Sequence, residues 1–202
     1  MSINQLLNPK TPEYIQLKST VNKFDFPWFW GDSATPELTA SDGFADLGFY
    51  SHTILDRPTT VPGNNYSPKN FYYPAPRTSE TFISDTIKIL IDILYYNRIK
   101  VLTFYRMSIN CVHPTGDNKL TIPHNDHPLS LPHKNIIIYL SDADGGETIC
   151  EGDKFLGKED DIIMFEGIHN HRPPLKNRRL VLVATGLFEA FSIESGTGFK
   201  ND

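Results

Sequence analysis

The feature that most limits the fold of this chain is a series of short strand-like segments filling its second half. From residue 98 onward, stretches rich in β-branched and aromatic residues alternate with turn-forming residues. The predicted strands are residues 99–107, 135–140, 147–150, 161–165 and 180–185. Many short strands after one helix are typical of a closed barrel or a double-sheet jelly roll. The predicted fold class is therefore mainly β with flanking helices.

The first half of the sequence has one clear helix and little other periodicity. Residues 1–78 are rich in proline, aromatic and turn-forming residues, and within them only residues 47–55 have the pattern of a strand. A helix is predicted over residues 79–96, with Thr78 or Ser79 as its N-cap. Its apolar face is predicted to comprise Phe82, Ile83, Ile87, Leu90, Ile91, Leu94 and Tyr95. We expect this helix to pack on the outside of the sheet.

Length and composition favour one domain without a nucleic-acid or membrane partner. A chain of 202 residues suits a single domain, with residues 1–97 as an N-terminal elaboration and residues 98–188 as the core. Nineteen Lys and Arg against 24 Asp and Glu give a net charge of -5, which disfavours general nucleic-acid binding. Two cysteines without a CxxC motif disfavour disulfides or a thiolate zinc site. The N-terminus lacks secretory signal features, so a cytoplasmic location is expected.

The residues with the most chemical information are His124-Asn125-Asp126 and the later His169-Asn170-His171. In an extended segment alternate side chains share one face, so His124 and Asp126 can bind the same ion. Two histidines and one carboxylate form the set that holds Fe(II) while leaving coordination positions open for chemistry. A basic pair, Arg178-Arg179, precedes the last predicted strand. A basic residue there suits the free carboxylate of a chelating dicarboxylate.

The order of these motifs resembles that of the Fe(II)- and 2-oxoglutarate-dependent oxygenases, in particular the prolyl 4-hydroxylase-like branch that also occurs in phages and viruses. The resemblance covers roughly residues 98–188 and includes the HxD motif, an aliphatic strand with a tyrosine, the Gly145-Gly146 turn and Arg179. It implies a double-stranded β-helix (jelly-roll, cupin-like) core with a metal at its open end. Because this branch also occurs in phages and viruses, the expected cytoplasmic location is either that of the organism's own cell or that of an infected host.

The resemblance implies a role for each matching residue. His124 and Asp126 match two iron ligands, and Arg179 matches the basic residue that pairs with the far carboxylate of 2-oxoglutarate. Tyr139 matches a tyrosine that hydrogen-bonds the same carboxylate, and Tyr105 matches a second tyrosine on the cosubstrate side. The implied requirements are Fe(II), 2-oxoglutarate as cosubstrate and O2, with ascorbate as an optional reductant.

The third metal ligand is a choice between two histidines. Spacing from the preceding strand favours His171, whereas spacing back from the arginines favours His169. His171 is predicted, because shortening the connection between sheets is harder than tightening a hairpin; His169 is the alternative. The same choice affects the arginines, where Arg179 is predicted over Arg178 because an aliphatic strand follows it directly.

The implied reaction is hydroxylation of a C–H bond in a peptidyl, prolyl-type or other side group, with release of succinate and CO2. The expected partner is a peptide, protein or small-molecule substrate. Two other functions use the same residues: a non-catalytic jelly-roll module that binds a metal or ligand, and a metalloenzyme in which Zn(II) or Mn(II) activates water. Arg179 after the distal histidine disfavours both, because neither has a use for it.

Overall fold

The computed structural model describes residues 3–31, 43–55, 79–116, 118–126 and 132–191. Two helices are present in these ranges, α1 (Pro12–Val21) and α2 (Glu80–Tyr96). Neither is long and apolar enough to cross a membrane. The strands are β1 (Asn4–Leu6), β2 (Phe29–Gly31), β3 (Phe44–Ala45), β4 (Phe49–Leu55), β5 (Ile99–Val112), β6 (Leu120–Thr121), β7 (Lys134–Tyr139), β8 (Thr148–Cys150), β9 (Asp153–Phe155), β10 (Ile162–Phe165), β11 (His169–His171) and β12 (Arg179–Ala190).

Seven strands form one large antiparallel sheet in the order β1-β10-β7-β12-β5-β4-β2. A three-stranded sheet, β11-β8-β9, and a two-stranded sheet, β3-β6, are separate from it. An isolated antiparallel bridge between His124 and His169 links the segment after β6 to β11. The predicted mainly β, double-sheet architecture is therefore confirmed, and the strand pairings bring the two histidine motifs together.

Alternation along the central strands gives the large sheet two different faces. On β12, Leu180 and Leu182 belong to a core that also contains residues of both helices. Val181 and Val183 point the other way, into a second apolar cluster with Tyr139. Successive side chains of a strand point to opposite faces, so one strand contributes to both clusters. The helices cover one face, and the other face is left to the small sheets.

Helix α2 begins where the sequence predicts. The Ser79 hydroxyl caps it by accepting a hydrogen bond from the backbone N–H of Phe82 at 3.3 Å; Thr78 lies outside the described residues. Its buried face differs from the prediction, because Ile91 and Tyr95 are 41% and 65% exposed. The prediction is correct for Leu90 and Leu94, which are buried, and the predicted residues Phe82, Ile83 and Ile87 pack, partly buried, against the core. Thr86, Ile89 and Ile93 are buried in addition. The packed side is therefore shifted from the predicted one and includes residues that the apolar spacing did not select.

Helix α1 was not predicted from the sequence. It has an N-cap at Thr11 and a proline at its first turn, both typical of a helix start. Its three buried residues are Tyr14, Leu17 and Val21. They follow helical spacing within an otherwise polar segment, which makes the apolar stripe narrow.

Candidate active site

The two histidine motifs meet where the segment after β6 pairs with β11. His124 and His169 exchange two backbone hydrogen bonds, of 2.9 Å and 3.0 Å, across the bridge between their segments. Their imidazole rings lie 4.5 Å apart, centroid to centroid. Both rings line a cavity whose other walls come from β4, β5, β7, β8 and β12.

Three side chains converge with the geometry of a metal site. One candidate ligand atom from each of His124, Asp126 and His169 lies within 4.8 Å of the other two. The Nε2 atom of His169 is 3.5 Å from Oδ2 of Asp126. Two imidazoles and one carboxylate suit Fe(II), and three ligands leave further coordination positions open.

Hydrogen bonds behind two of these residues determine which of their atoms could face an ion. The Nδ1 atom of His124 lies 2.8 Å from the carbonyl oxygen of Ile122, so Nδ1–H donates and Nε2 keeps its lone pair. Arg106 donates from an Nη atom to Oδ1 of Asp126 at 2.7 Å. The other carboxylate oxygen, Oδ2, is the one near His169. Outer contacts of this kind orient metal ligands.

The third member of the group is His169, the alternative in the sequence prediction; His171 is outside the group. Both histidines point to the same face of β11, and two extended residues separate them by roughly 6.6 Å. His169 is opposite His124, whereas His171 is opposite Thr148 on β8. The two candidates for the third metal ligand have the same local sequence pattern, and only their different pairing partners distinguish them.

Both histidines are held in the neutral form by their surroundings. Burial lowers the pKa of His169 to about 4, although the Asp126 carboxylate opposes the shift. Burial also lowers the pKa of His171 well below its usual range, and the positive charge of Arg179 adds to the effect. A neutral imidazole can bind a metal or donate and accept one hydrogen bond each.

The same cavity is also lined by a buried arginine. Arg179 is 3% exposed and lines the cavity together with Thr148 and His171. Its guanidinium donates to the Thr148 hydroxyl at 3.0 Å. The neighbouring Arg178 instead donates to the side chain of Asn22 at the surface, at 2.8 Å. The structure therefore places Arg179, and not Arg178, in the cavity.

Tyr139 contacts Thr148 and Arg179 but does not line the cavity. Its hydroxyl is 2.8 Å from the Thr148 hydroxyl oxygen, and the Arg179 guanidinium lies 5.4 Å above its ring. A Cβ atom at Gly157 would overlap the Tyr139 ring, and one at Gly146 would lie 3.0 Å from Cδ of Arg179. Glycine at both positions allows the two functional side chains to pack where they do.

Tyr105 is not among the residues that line the cavity, and β5 is irregular at this point. Arg106 pairs with Thr185 on β12 and Phe104 pairs with Gly186, which leaves Tyr105 as the extra residue of a β-bulge. Its hydroxyl is 3.5 Å from the carbonyl oxygen of Pro132. The assignment of Tyr105 to the cosubstrate side stays a prediction.

Two site residues were not identified from the sequence. Arg106 is a charged residue in the middle of a strand rich in apolar residues, a pattern that indicates a buried partner or a site. Thr148 is the residue after Gly145-Gly146-Glu147, and only its pairing with β11 shows that it shares a wall with His171. The signal for Arg106 was therefore available in the sequence, whereas the role of Thr148 in the cavity wall could be recognised only from the fold.

Comparison with solved structures identifies the fold as the double-stranded β-helix of the Fe(II)- and 2-oxoglutarate-dependent oxygenases, and confirms the predicted resemblance at that level. One match is the 2-oxoglutarate complex of the viral collagen prolyl hydroxylase of Paramecium bursaria Chlorella virus-1, with a TM-score of 0.50, 12% identity, and coverage of 95% of this protein and 97% of that one. Another is a prolyl hydroxylase of Trichoplax adhaerens in complex with a hypoxia-inducible factor peptide fragment, with a TM-score of 0.51, 13% identity, and coverage of 92% and 83%. No protein-family model and no curated protein sequence matches this sequence.

Proposed function

We propose that this protein is an Fe(II)- and 2-oxoglutarate-dependent oxygenase that hydroxylates a peptidyl, prolyl-type C–H bond. The observation that carries the proposal is the arrangement of one cavity with two ends. His124, Asp126 and His169 converge at one end, and Arg179 and Thr148 converge at the other. A cosubstrate that chelates a metal through its 2-oxo acid and ends in a second carboxylate fits both ends at once.

At the metal end, the ligand atoms would be Nε2 of His124, Oδ2 of Asp126 and Nε2 of His169. Arg106 occupies the remaining carboxylate oxygen of Asp126 and keeps Oδ2 directed at the ion. Neutral imidazoles are required for this role, and burial keeps the pKa of His169 low enough that it is neutral at physiological pH.

At the carboxylate end, the buried Nε atom of Arg179 has no hydrogen-bond partner among the described residues. An unpaired buried donor is costly, so a ligand oxygen there would remove a penalty as well as add a contact. The Thr148 hydroxyl accepts from Arg179, and Tyr139 can donate to its second lone pair. The Thr148 proton is then available to the carboxylate, and Tyr139 acts through Thr148.

When bound, Fe(II) and 2-oxoglutarate supply the oxidative chemistry: O2 delivers one oxygen atom to the substrate C–H bond and one to succinate, with release of CO2. The protein holds the cosubstrate by both ends and surrounds it with apolar side chains, among them Ile137, Val181 and Val183. These walls exclude water and orient the cosubstrate on the metal. Ascorbate would serve only to keep the iron in the ferrous state.

The substrate class is supported by the solved structures that share the fold. One is named as a collagen prolyl hydroxylase and another was solved with a peptide fragment. A net charge of -5 gives no support to a nucleic-acid substrate. A proline-containing peptide is therefore the first substrate to test.

The experiment is turnover of isotopically labelled 2-oxoglutarate by the purified protein, followed by NMR. Succinate is expected when Fe(II), 2-oxoglutarate and O2 are all present, and removal of any one should abolish it. Proline-containing peptides are screened by mass spectrometry for the gain of one oxygen atom. Water-activating hydrolysis would instead persist without O2 and 2-oxoglutarate, and a binding module would form no succinate.

Arg179→Leu and Arg178→Leu form a matched pair for this test. Loss of the buried Arg179 should weaken 2-oxoglutarate binding by about 100-fold or more, because it removes charge-assisted hydrogen bonds to the far carboxylate. Arg178→Leu should bind 2-oxoglutarate as the wild type does, since Arg178 contacts Asn22 outside the cavity. Equal effects of the two substitutions would contradict the proposed carboxylate site.

A further inference from the structure

His171 is not a member of the metal group, yet it lines the same cavity as that group and Arg179. Its ring lies 6.2 Å from the His124 ring, centroid to centroid, and its side chain lines the cavity. Its backbone N–H donates to the Thr121 hydroxyl at 3.0 Å, which fixes this part of β11 against the neighbouring segment. The imidazole is therefore held in the cavity by strand geometry.

The side chain of His171 belongs to the carboxylate end by its pairing. His171 is directly opposite Thr148 in the antiparallel β8–β11 pair. Side chains that are directly opposite have Cβ atoms about 4.5–5.5 Å apart and point to the same face. Since the Thr148 hydroxyl accepts from Arg179, the three polar side chains converge on one region.

His171 and Arg179 also share an unmet hydrogen-bonding capacity. Nδ1 of His171 and Nε of Arg179 are both buried, and neither has a partner among the described residues. Both residues line the same cavity. Nδ1 of His169 is a third such atom, but His169 belongs to the metal group. Buried polar groups are normally paired, so the unpaired nitrogen atoms of His171 and Arg179 indicate a polar ligand that bonds to both side chains.

We infer that His171 is a cosubstrate-binding residue, which donates a hydrogen bond to the far carboxylate of 2-oxoglutarate alongside Arg179 and Thr148. This inference rests on the proposed function. It assigns to the second histidine of the His-Asn-His segment a role distinct from that of His169. An imidazole N–H on a charged oxygen strengthens binding and fixes the position of the carboxylate. The chelating end of the cosubstrate is left to the metal group.

The test compares two ligands on the Mn(II)-loaded protein by calorimetry, without turnover. One is 2-oxoglutarate, and the other is 2-oxopentanoate, which has a methyl group in place of the far carboxylate. In His171→Leu, 2-oxoglutarate affinity should fall by about 10- to 100-fold, the range expected for a hydrogen bond to a charged group. Affinity for 2-oxopentanoate and for Mn(II) should remain within a few-fold of wild type.

Each outcome has one interpretation. Unchanged 2-oxoglutarate affinity in His171→Leu, or an equal loss of both ligands, overturns the role of His171 while leaving the proposed function standing. Loss of Mn(II) binding overturns it in favour of a metal ligand. If the wild-type protein binds Mn(II) but not 2-oxoglutarate, the proposed function and this inference both fail. Should His171→Leu not fold, His171→Phe, which keeps a planar ring but has no N–H, is measured in the same way.

Discussion

The two faces of β5 differ by one residue step and have different functions. Arg106 and Asn110 line the cavity, whereas Met107 and Ile109 are fully buried in the core beneath the helices. The polar face holds the Asp126 carboxylate in place through Arg106, and the apolar face holds the helices on the sheet. The candidate site and the core are therefore built on the same strand, separated only by side-chain alternation.

The largest effect is expected from Arg106→Met on the cavity face. It leaves the buried Asp126 carboxylate without its cation, so the free energy of unfolding of the metal-free protein should fall by about 3–5 kcal/mol at neutral pH. Saturating Mn(II) should restore much of this loss, because the ion replaces the missing positive charge. Denaturant unfolding with and without Mn(II) measures both values.

Ile109→Ala makes the corresponding change on the helix face. Ile109 is 0% exposed, and truncation should cost about 3 kcal/mol through lost burial and a cavity. Mn(II) should stabilise this variant only as much as it stabilises the wild type. If Mn(II) rescues Ile109→Ala and Arg106→Met equally, the two faces do not have the separate functions described above.

Thr148→Val sharpens the comparison within the cavity itself. Valine keeps the shape but removes the hydroxyl that bonds Arg179 and Tyr139, so 2-oxoglutarate affinity should fall about 10-fold. Thr185→Val is the matched control, because Thr185 is also buried and hydrogen-bonded, to Asn135, but does not line the cavity. Calorimetric titration should show loss in the first variant alone.

The smallest change in unfolding free energy is expected from a substitution at Asp160. This residue anchors α1 through Lys18, Lys10 and Tyr14. Burial opposes ionisation, but these three contacts outweigh it and hold the pKa of Asp160 below its ordinary value. Asp160→Asn should therefore cost about 1 kcal/mol at neutral pH. A carboxyl group whose pKa is lower in the folded than in the unfolded protein stabilises the fold at pH values above the unfolded-state pKa. The difference in unfolding free energy between the wild type and Asp160→Asn should therefore shrink as the pH falls below about 4.

The control for this pH dependence is Asp92→Asn, which removes the exposed ion pair between Asp92 and Lys88 on α2. It should change stability little at any pH, because exposed pairs are screened by solvent. A cost at Asp160 that stays constant down to low pH would show that the anchor does not depend on the carboxylate charge.

Much of the core could be predicted from the sequence because its strands repeat with period two and end at turn residues. All five strands predicted after residue 98 are present, although β5 and β12 extend further than their apolar pattern suggests. His124 and Asp126 could be paired because one extended segment holds both. The start of α2 followed from the capping chemistry of Ser79.

The third ligand could not be determined from local pattern, because His169 and His171 point to the same face of one strand. Their difference arises from tertiary pairing, with His124 opposite one and Thr148 opposite the other. The position of Tyr105 depends on a bulge, and an inserted residue of this kind leaves no clear sequence signal. Long-range pairing therefore determines the details of the site, and the local periodicity determines its scaffold.

The proposal that His124, Asp126 and His169 hold the metal is tested most directly by the Mn(II) affinity of the wild type, His169→Ala and His171→Ala, measured by calorimetry on folded protein. Removal of His169 should weaken Mn(II) binding by more than the roughly 10- to 100-fold that loss of an outer partner costs, whereas His171→Ala should bind Mn(II) within a few-fold of wild type. Retained binding in His169→Ala together with lost binding in His171→Ala would contradict the account.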